Sequence, residues 1–168
     1  MAEGILQPVA EGAVYPSLAG KRVIVSGGGS GIGEGIVEAF ARQGSAVAFV
    51  DIKDGASEAL AARLADAPVP PIYSPSDITD CADYEATIGA LIDRLDGCDV
   101  LVNNAANDDR HAIEEVTREY WDERMAVNLR HQFFAAKAVR PAMRDAGGGA
   151  ILNLGSISWH LGMADLVV

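Results

Sequence analysis

Basic residues are scarce in this sequence, and cysteines are scarcer still. Thirteen Lys and Arg residues stand against 24 Asp and Glu residues, so the formal net charge is −11 over 168 residues. Because nucleic-acid backbones are bound mainly through Lys and Arg, this balance argues against a nucleic-acid partner. Cys81 and Cys98 are the only cysteines, and both adjoin apolar periodic segments, where cysteine is usually a small buried hydrophobe. No disulfide framework is therefore expected.

Long apolar runs are also absent. No stretch approaches membrane-spanning length, and residues 1–20 lack the basic and apolar regions of a signal peptide. We expect a cytoplasmic protein with no membrane partner, no bound metal and a loosely held N-terminal arm over residues 1–20. A hydrophobic content of 49% is enough for one sizeable core. Residues 21–168 are therefore predicted to form one domain that binds a small, diffusible ligand.

From residue 21 onward, β-branched runs alternate with longer amphipathic stretches, which is typical of βαβ units around a parallel sheet. Five strands are predicted, at residues 22–26, 46–52, 72–75, 99–103 and 150–154. The prolines around the third strand confine it to a sheet edge. Right-handed crossovers then give a Rossmann-type, doubly wound α/β sheet of order 3-2-1-4-5. A ligand should bind at the carboxyl ends of the first, fourth and fifth strands, where the order reverses.

Helical spacing fills the segments between these strands. The first helix is predicted to end at Gly44 and to bury Ile32, Ile36, Val37 and Phe40. The second covers residues 54–65, and the third has an apolar stripe formed by Tyr84, Ile88, Leu91, Ile92 and Leu95. The last is expected as one long helix that ends at residues 147–149, with a core face of Met125, Leu129, Phe133, Ala136 and Met143. Tyr120 and Trp121 are interpreted as aromatics of helix packing or of a subunit interface.

A glycine-rich turn separates the first strand from the first helix. It reads Ser-Gly-Gly-Gly-Ser-Gly-Ile-Gly over residues 26–33, and glycines in this context let main-chain amides and a helix N-terminus approach a pyrophosphate. An ordinary flexible turn is the alternative. Asp51 ends the second strand roughly 20 residues later, where a carboxylate can accept hydrogen bonds from the adenosine ribose and repel a 2′-phosphate. Alternatively, Asp51 caps the segment that follows.

Five successive motifs resemble those of the short-chain dehydrogenase/reductase family: Gly27-x-x-x-Gly31-x-Gly33, Asp77-Ile78, Asn103-Asn104-Ala105-Ala106, Asn128 and Gly155-Ser156. The resemblance covers residues 21–168 and implies an oxidoreductase that transfers hydride between an alcohol or carbonyl and NAD. It implies cofactor contacts by Gly27, Ser30, Gly31, Ile32, Gly33, Asp51, Ile52, Asp77, Ile78, Asn104, Ala105 and Ala106. Ser156 is then the catalytic residue that polarises the reacting oxygen. Asn128 would hold a helix bend and an ordered water in the proton relay.

Further segments are similar to sugar-oxidising members of that family, at residues 15–18, 107–111, 120–124 and 155–162. This similarity implies oxidation of the anomeric carbon of an aldopentose, such as D-xylose, to a lactone. The candidate substrate contacts, which offer hydrogen bonds and an aromatic face to a polyol, are Asn107, Ser158, Trp159 and His160. The loop over residues 107–111 is equally compatible with a solvated surface turn. His160 is also compatible with a structural hydrogen-bonding role.

The family's proton acceptor is a tyrosine, activated by a lysine four positions later, and neither is present at the matching place. We therefore expect residues 1–168 to be an inactive fragment, whose parent continues with tyrosine directly after Val168 and forms a homo-oligomer. Two alternatives stay open. One is a 3-oxoacyl or steroid reductase, because the cofactor motifs are common to the whole family. The other is a dinucleotide-binding module without catalytic activity.

Overall fold

The computed structural model describes residues 12–158, 160–166 and 168. Five parallel strands form one sheet of order β3-β2-β1-β4-β5, which confirms the predicted Rossmann-type topology. The strands are β1 (Arg22–Ser26), β2 (Ala46–Asp51), β3 (Ile72–Pro75), β4 (Val100–Asn103) and β5 (Ala150–Asn153). The helices are α1 (Gly31–Arg42), α2 (Asp54–Arg63), α3 (Cys81–Leu95), α4 (Arg118–Met125) and α5 (His131–Asp145).

Two apolar layers cover the central strands, as their continuous apolar runs require. Under α3 and α5, Tyr84, Ile88 and Val139 pack against Ile24 of β1, and all four are fully buried. The second layer lies under α1 and α2 and includes Val25, Val37, Phe49 and Leu64. Burial of each such side chain contributes about 1.5–3 kcal/mol. Packing on both faces therefore fixes the positions of the strand ends that lie between these layers.

β5 differs from the central strands. All four of its residues are exposed, and Ile151 and Leu152 present apolar side chains at the edge of the sheet. The exposed side chain of Phe133 on α5 lies beside the same edge, in a groove that Ile151 also lines. Within the described residues, this edge is the least covered part of the sheet.

The last helical region is not the single regular helix that the sequence predicts. A π-helical turn, Ala126–Arg130, separates α4 from α5. A π turn holds more residues than an α turn, so it rotates the later side chains away from the α-helical pattern. As a result Leu129 and Phe133 are exposed, whereas His131, Ala135 and Val139 face the core.

One position of α1 also departs from expectation. Val37 is buried, and Ile36 and Phe40 are half-buried, but Ile32 is 73% exposed. Ile32 lies in the first turn of α1, directly after the glycine turn, and belongs to neither core cluster. The predicted end of the helix is correct, since Gly44 follows it with a φ of +80°.

Part of the predicted N-terminal arm is fastened to the domain. The Gln43 side chain accepts from the Tyr15 amide over 2.8 Å and donates to the Ala13 carbonyl over 3.0 Å. The Ser45 hydroxyl donates to the Leu18 carbonyl over 2.7 Å. Residues 1–11 lie outside the described part of the chain, and so does the prediction of a loose arm for them.

No helix in the described ranges combines the length and the apolar character needed to cross a membrane.

Candidate nucleotide site and reaction site

The predicted site residues gather at one edge of the sheet. The glycine turn follows β1, Asp51 ends β2, Asn104 follows β4 and Ser156 lies three residues beyond β5. Because the strands are parallel, their carboxyl ends meet at this edge. The strand order reverses between β1 and β4, in the middle of this set of residues, and ligands of doubly wound sheets bind at such a reversal.

The glycine turn requires glycine for two reasons, which are close contacts at some positions and a positive φ at others. A Cβ on Gly33 would lie 1.9 Å from the Gly27 carbonyl oxygen and 2.5 Å from Asn104 Nδ2. Gly31 has a φ of +60° and open space where a Cβ would be. The Ser30 side chain does not cap α1, so the amides of the first turn remain available to an anion. The turn is thus a built cradle rather than a flexible link.

Asp51 is held by main-chain amides on both carboxylate oxygens. Oδ2 accepts from the Gly29 amide and Oδ1 from the Lys53 amide, each over 2.9 Å. The contact with the Lys53 amide is the cap on the following segment that the sequence also allows. The contact with the Gly29 amide joins Asp51 to the glycine turn. Each oxygen keeps a further acceptor position for a hydroxyl group. Asp51 is only 9% exposed, so its charge acts at short range in a poorly solvated place.

The rim beside Asp51 carries exposed apolar side chains. Ile32 and Ile52 are 73% and 70% exposed, and both were predicted to contact the cofactor. Asp77 is also exposed, and its Oδ1 accepts from the amide and hydroxyl of Thr79 over 2.9 and 2.7 Å. Ile78 is different, since its side chain is 7% exposed and packs in the core under α3. Its side chain is therefore part of the core rather than of the exposed rim.

Tyr73 of β3 fixes the start of α2 next to Asp51. Its hydroxyl donates to Asp54 Oδ1 over 2.5 Å and lies 3.2 Å from the Asp51 carbonyl. Burial and the hydrogen bond to Asp54 raise the pKa of Tyr73 to about 12. Burial likewise raises the pKa of Tyr84 in the core. Neither phenol is suited to accept a proton near neutral pH.

Asn104 joins β4 to the glycine turn. Its Nδ2 donates to the carbonyls of Ser26 and Gly27 over 3.1 and 2.9 Å. The Ser26 hydroxyl accepts from the amides of Asn104 and Ala105 over 3.1 and 3.2 Å. The Ser26 hydroxyl thus holds the start of the loop after β4 against the end of β1. Ala105 is half-buried and Ala106 exposed, so the chain emerges here from the sheet into the cleft.

Asn128 lies in the π turn and pairs with the loop that follows β4. Its Oδ1 accepts from the Asn107 amide over 2.8 Å, and its Nδ2 donates to the Asn107 carbonyl over 3.0 Å. The Asn128 carbonyl accepts from the Gln132 side chain over 3.0 Å. Asn128 therefore sits at a break in helical regularity, and it also fixes the start of the predicted substrate loop.

Ser156 is exposed at the end of β5, and its hydroxyl is oriented by Ser158. The two Oγ atoms are 2.7 Å apart, and the Ser158 amide donates to Ser156 Oγ over 3.1 Å. His160 is exposed within the same turn, and its amide donates to the Ile157 carbonyl over 2.9 Å. Trp159 lies outside the described residues, so its predicted substrate contact has no structural counterpart here.

The loop over residues 107–111 is partly exposed to solvent and partly packed against other segments of the chain. Asp108 is exposed, and the exposed Arg110 pairs with Asp165 over 3.3 Å. His111 is only 7% exposed and packs edge to face against Tyr120, so its ring is buried at the end of the loop. Sequence reasoning missed this pair, because it placed His111 and Tyr120 in separate segments. Their nine-residue separation across a loop carries no periodic signal.

The geometry of this edge fits a dinucleotide. The glycine cradle leads into the first turn of α1, an anchored carboxylate stands at the end of β2, and exposed isoleucines lie in that first turn and directly after β2. The first feature suits a pyrophosphate, the second a ribose diol and the third a flat apolar ring.

A sequence profile of the short chain dehydrogenase family matches residues 21–168, and the chain belongs to this family. It is 54% identical over 156 residues to D-xylose 1-dehydrogenase of Caulobacter vibrioides, covering 93% of this chain and 61% of that protein. It is 46% identical over 153 residues to the probable galactose dehydrogenase of Rhizobium meliloti, covering 90% of this chain and 60% of that protein. The structure of an NADH-dependent reductase complexed with NAD superposes with a TM-score of 0.82 at 28% identity, covering 90% and 66% of the two chains.

The chain thus spans about three-fifths of the length of the curated relatives that it matches, 61% and 60% for the two sugar dehydrogenases. The predicted family membership and the predicted fold are both confirmed.

Proposed function

We propose that this chain is the nucleotide-binding part of an NAD-dependent sugar dehydrogenase that oxidises the anomeric carbon of an aldopentose, such as D-xylose, to a lactone. The observation that carries the proposal is the placement of Ser156 on the same sheet edge as the glycine cradle and Asp51. A binding module needs only the cradle and the carboxylate. A hydroxyl held by a neighbouring serine at the end of β5 suits a group that polarises a reacting oxygen.

The choice of NAD rests on Asp51. Its carboxylate is fixed by two amides at the position expected for the adenosine ribose. A 2′-phosphate there would face a poorly solvated negative charge and would lose the hydrogen bond from the ribose hydroxyl.

The reaction divides into two transfers. The nicotinamide ring, when bound, supplies the acceptor for the hydride that leaves the anomeric carbon. The hydroxyl on that carbon loses its proton as its oxygen forms the carbonyl of the lactone, and Ser156 donates a hydrogen bond to this oxygen. Among the described residues, the partners of Ser156 Oγ are the hydroxyl and amide of Ser158, and neither takes up a proton near neutral pH. We therefore retain the prediction of a tyrosine directly after Val168 and a lysine four residues further on.

The choice of a sugar rests on relatives and on the loop after β4. Two sugar dehydrogenases match more than 150 residues each, at 54% and 46% identity. The exposed amide side chain of Asn107 begins this loop, and the Asn128 pair fixes its main chain. An anchored amide at the mouth of the cleft suits recognition of vicinal hydroxyls, because it offers both donors and an acceptor.

The test uses the polypeptide that the complete reading frame encodes, here called the full polypeptide, beside residues 1–168. NADH formation is followed with D-xylose, other aldoses and a secondary alcohol without a ring oxygen, and acetoacetyl thioester is tested in the reductive direction. We expect turnover of aldopentoses by the full polypeptide, a lactone product and no turnover by residues 1–168. Preference for the thioester would favour the reductase alternative, and cofactor binding without any turnover would favour the binding module.

A further inference from the structure

His111 is a buried imidazole at the end of an exposed loop. It is 7% exposed, whereas residues 106–110 are all exposed. Its main-chain amide donates to the Asp165 carbonyl over 3.0 Å. Its Nε2 accepts a hydrogen bond from the Val168 amide over 3.3 Å. His111 therefore makes two contacts between the loop after β4 and the end of the chain, residues 163–168, here called the C-terminal segment.

The second ring nitrogen is held as well. Because Nε2 accepts from an N–H group, the neutral ring carries its proton on Nδ1. Nδ1 lies 2.9 Å from the Asp109 carbonyl oxygen and 2.9 Å from the Tyr120 hydroxyl. The rings of His111 and Tyr120 meet edge to face, with centroids 4.9 Å apart. Helix α4 thus sets the ring orientation that directs Nε2 to Val168.

Arg124 supports Tyr120 from the next turn of α4. Its guanidinium carbon lies 5.2 Å from the centroid of the Tyr120 ring, and the residue is 4% exposed. Nη2 pairs with Glu123 over 2.7 Å, while Nε and Nη1 are buried without a hydrogen-bond partner in the described part of the chain. Burial of a charge with unmade hydrogen bonds costs stability. Packing alone would favour an apolar residue here, and departures of this kind are typical of functional positions.

The neighbouring ion pair is a weaker connection. Arg110 and Asp165 are separated by 3.3 Å, but their side chains are 47% and 54% exposed. Exposed pairs of this kind contribute about 0–1 kcal/mol because water and salt screen them. The buried imidazole is therefore the principal contact between the loop and the C-terminal segment among the residues described.

We propose that His111 is a positioning residue, which holds the C-terminal segment so that the residue after Val168 enters the reaction site in a fixed place. The inference rests on the proposed function, in which that next residue is the proton acceptor. His111 also links two parts of the site, because the loop that it ends begins at Asn107 on the Asn128 pair. Misplacement of the segment by an ångström would separate the proton acceptor from Ser156 while leaving the glycine cradle intact.

The test compares three substitutions in the full polypeptide. His111→Phe keeps a ring but removes both nitrogens, His111→Gln keeps an acceptor near the Nε2 position, and Tyr120→Phe removes only the hydroxyl at Nδ1. The matched control is Asp165→Asn, which weakens the ion pair with Arg110 and keeps the carbonyl that His111 contacts. Each variant is measured for sugar turnover, NAD affinity, unfolding temperature and hydrogen exchange of peptides from residues 160–168.

We expect His111→Phe to lower kcat about 10- to 100-fold, the size of effect that follows from misplaced reacting groups. NAD affinity should stay unchanged, and exchange in residues 160–168 should rise. His111→Gln should recover most of kcat and of the protection, Tyr120→Phe should show a smaller loss, and Asp165→Asn should resemble the parent.

Two results would overturn the proposal. One is unchanged exchange and kcat in His111→Phe. The other is equal loss in His111→Gln and His111→Phe at matched unfolding temperature, which would assign only a packing role to the ring. If the parent polypeptide oxidises another alcohol and no sugar, the proposed function fails, and the same four variants then test His111 with that alcohol. The exchange measurement needs no substrate, so the two failures are distinguishable.

Discussion

The cofactor half and the reaction half of the candidate site are held together by different kinds of contact. In the cofactor half, Asp51 and Asn104 bond to main-chain groups of the glycine turn, whose position the strands fix. In the reaction half, Ser156 bonds to the hydroxyl and amide of Ser158, and His111 bonds to the Tyr120 hydroxyl and the Val168 amide, so the groups that hold the site lie mostly on loops outside the sheet. A contact made by residues at strand ends keeps its geometry when a neighbouring side chain is replaced, because the sheet holds its main chain. The geometry of a contact between loop residues depends on each partner side chain. We therefore expect substitutions in the two halves to separate cofactor binding from turnover.

The largest expected effect is in the reaction half. Ser156→Ala should lower turnover of the full polypeptide about 100- to 1,000-fold, the usual cost of removing one donor to a developing oxyanion. NAD affinity should change little, because the glycine cradle and Asp51 lie on other strands. Steady-state kinetics and cofactor titration together check both statements.

Ser158→Ala is the control for this substitution. It removes the hydroxyl 2.7 Å from Ser156 Oγ, but it keeps the main-chain amide that also contacts this oxygen. A smaller loss of turnover is therefore expected. Equal losses in the two variants would mean that Ser156 does not have the distinct role assigned to it.

The next effect concerns the core beneath both halves. His131 is fully buried, both ring nitrogens lack a hydrogen-bond partner among the described residues, and burial lowers its pKa from 6.5 to about 4. Between about pH 6.5 and pH 4, the unfolded chain therefore binds a proton that the folded chain does not. The free energy of unfolding accordingly decreases as the pH is lowered from 6.5 to 4. The loss should be of the order of 3 kcal/mol by pH 4. Urea unfolding at pH 7 and at pH 4.5 measures it.

His131→Leu should remove this pH dependence, and His160→Gln, at an exposed site, should keep it. Asp99 titrates in a separate window. Its hydrogen bonds with Arg22 lower its pKa to about 2, so the stability that this pair contributes is lost only as the pH falls below about 4. If His131→Leu left the dependence of the unfolding free energy on pH unchanged between pH 6.5 and 4, the assignment of this dependence to His131 would be wrong.

The glycine turn provides a sharper test of the cofactor half. Gly33→Ala places a methyl group 1.9 Å from the Gly27 carbonyl, so the turn must deform. We expect a destabilisation of about 1–3 kcal/mol, as for other overpacked sites, together with weaker NAD binding. Gly35→Ala, two residues later in the same helix, meets nothing within 4 Å. It should stabilise the protein by about 0.5–1 kcal/mol, because alanine is the better helix former. Similar effects of both substitutions would show that the turn is not closely packed.

The smallest expected effect is a change in cofactor preference. Asp51→Ala should reduce the ratio of catalytic efficiency with NAD to that with NADP about tenfold, which corresponds to about 1.5 kcal/mol, the lower end of the range for a hydrogen bond to a charged group. Asp77→Asn, at an exposed carboxylate on the same edge, should leave the ratio nearly unchanged. Equal efficiency with both cofactors in the parent protein would refute the role of Asp51.

Local sequence patterns were sufficient for most of the cofactor half. β1, the glycine turn and the end of β2 occur within 30 residues, and each has its own signature in apolar runs or glycine spacing. Patterns failed where the backbone departs from a regular period. The π turn Ala126–Arg130 moved Leu129 and Phe133 out of the core and placed His131 inside it, and polar residues give no apolar signal.

The amino-acid sequence by itself determined the family, the order of the strands and the edge of the sheet where the site lies, because alternating periodicity and right-handed crossovers allow few other arrangements. Only the tertiary structure decided which groups hold that site in place. The Gly29 amide on Asp51, the Asn107–Asn128 pair and the contact between His111 and Val168 join residues from different parts of the chain, up to 57 positions apart. Such contacts form only when packing has fixed the relative positions of the helices, strands and loops. Residue spacing along the chain does not encode these positions.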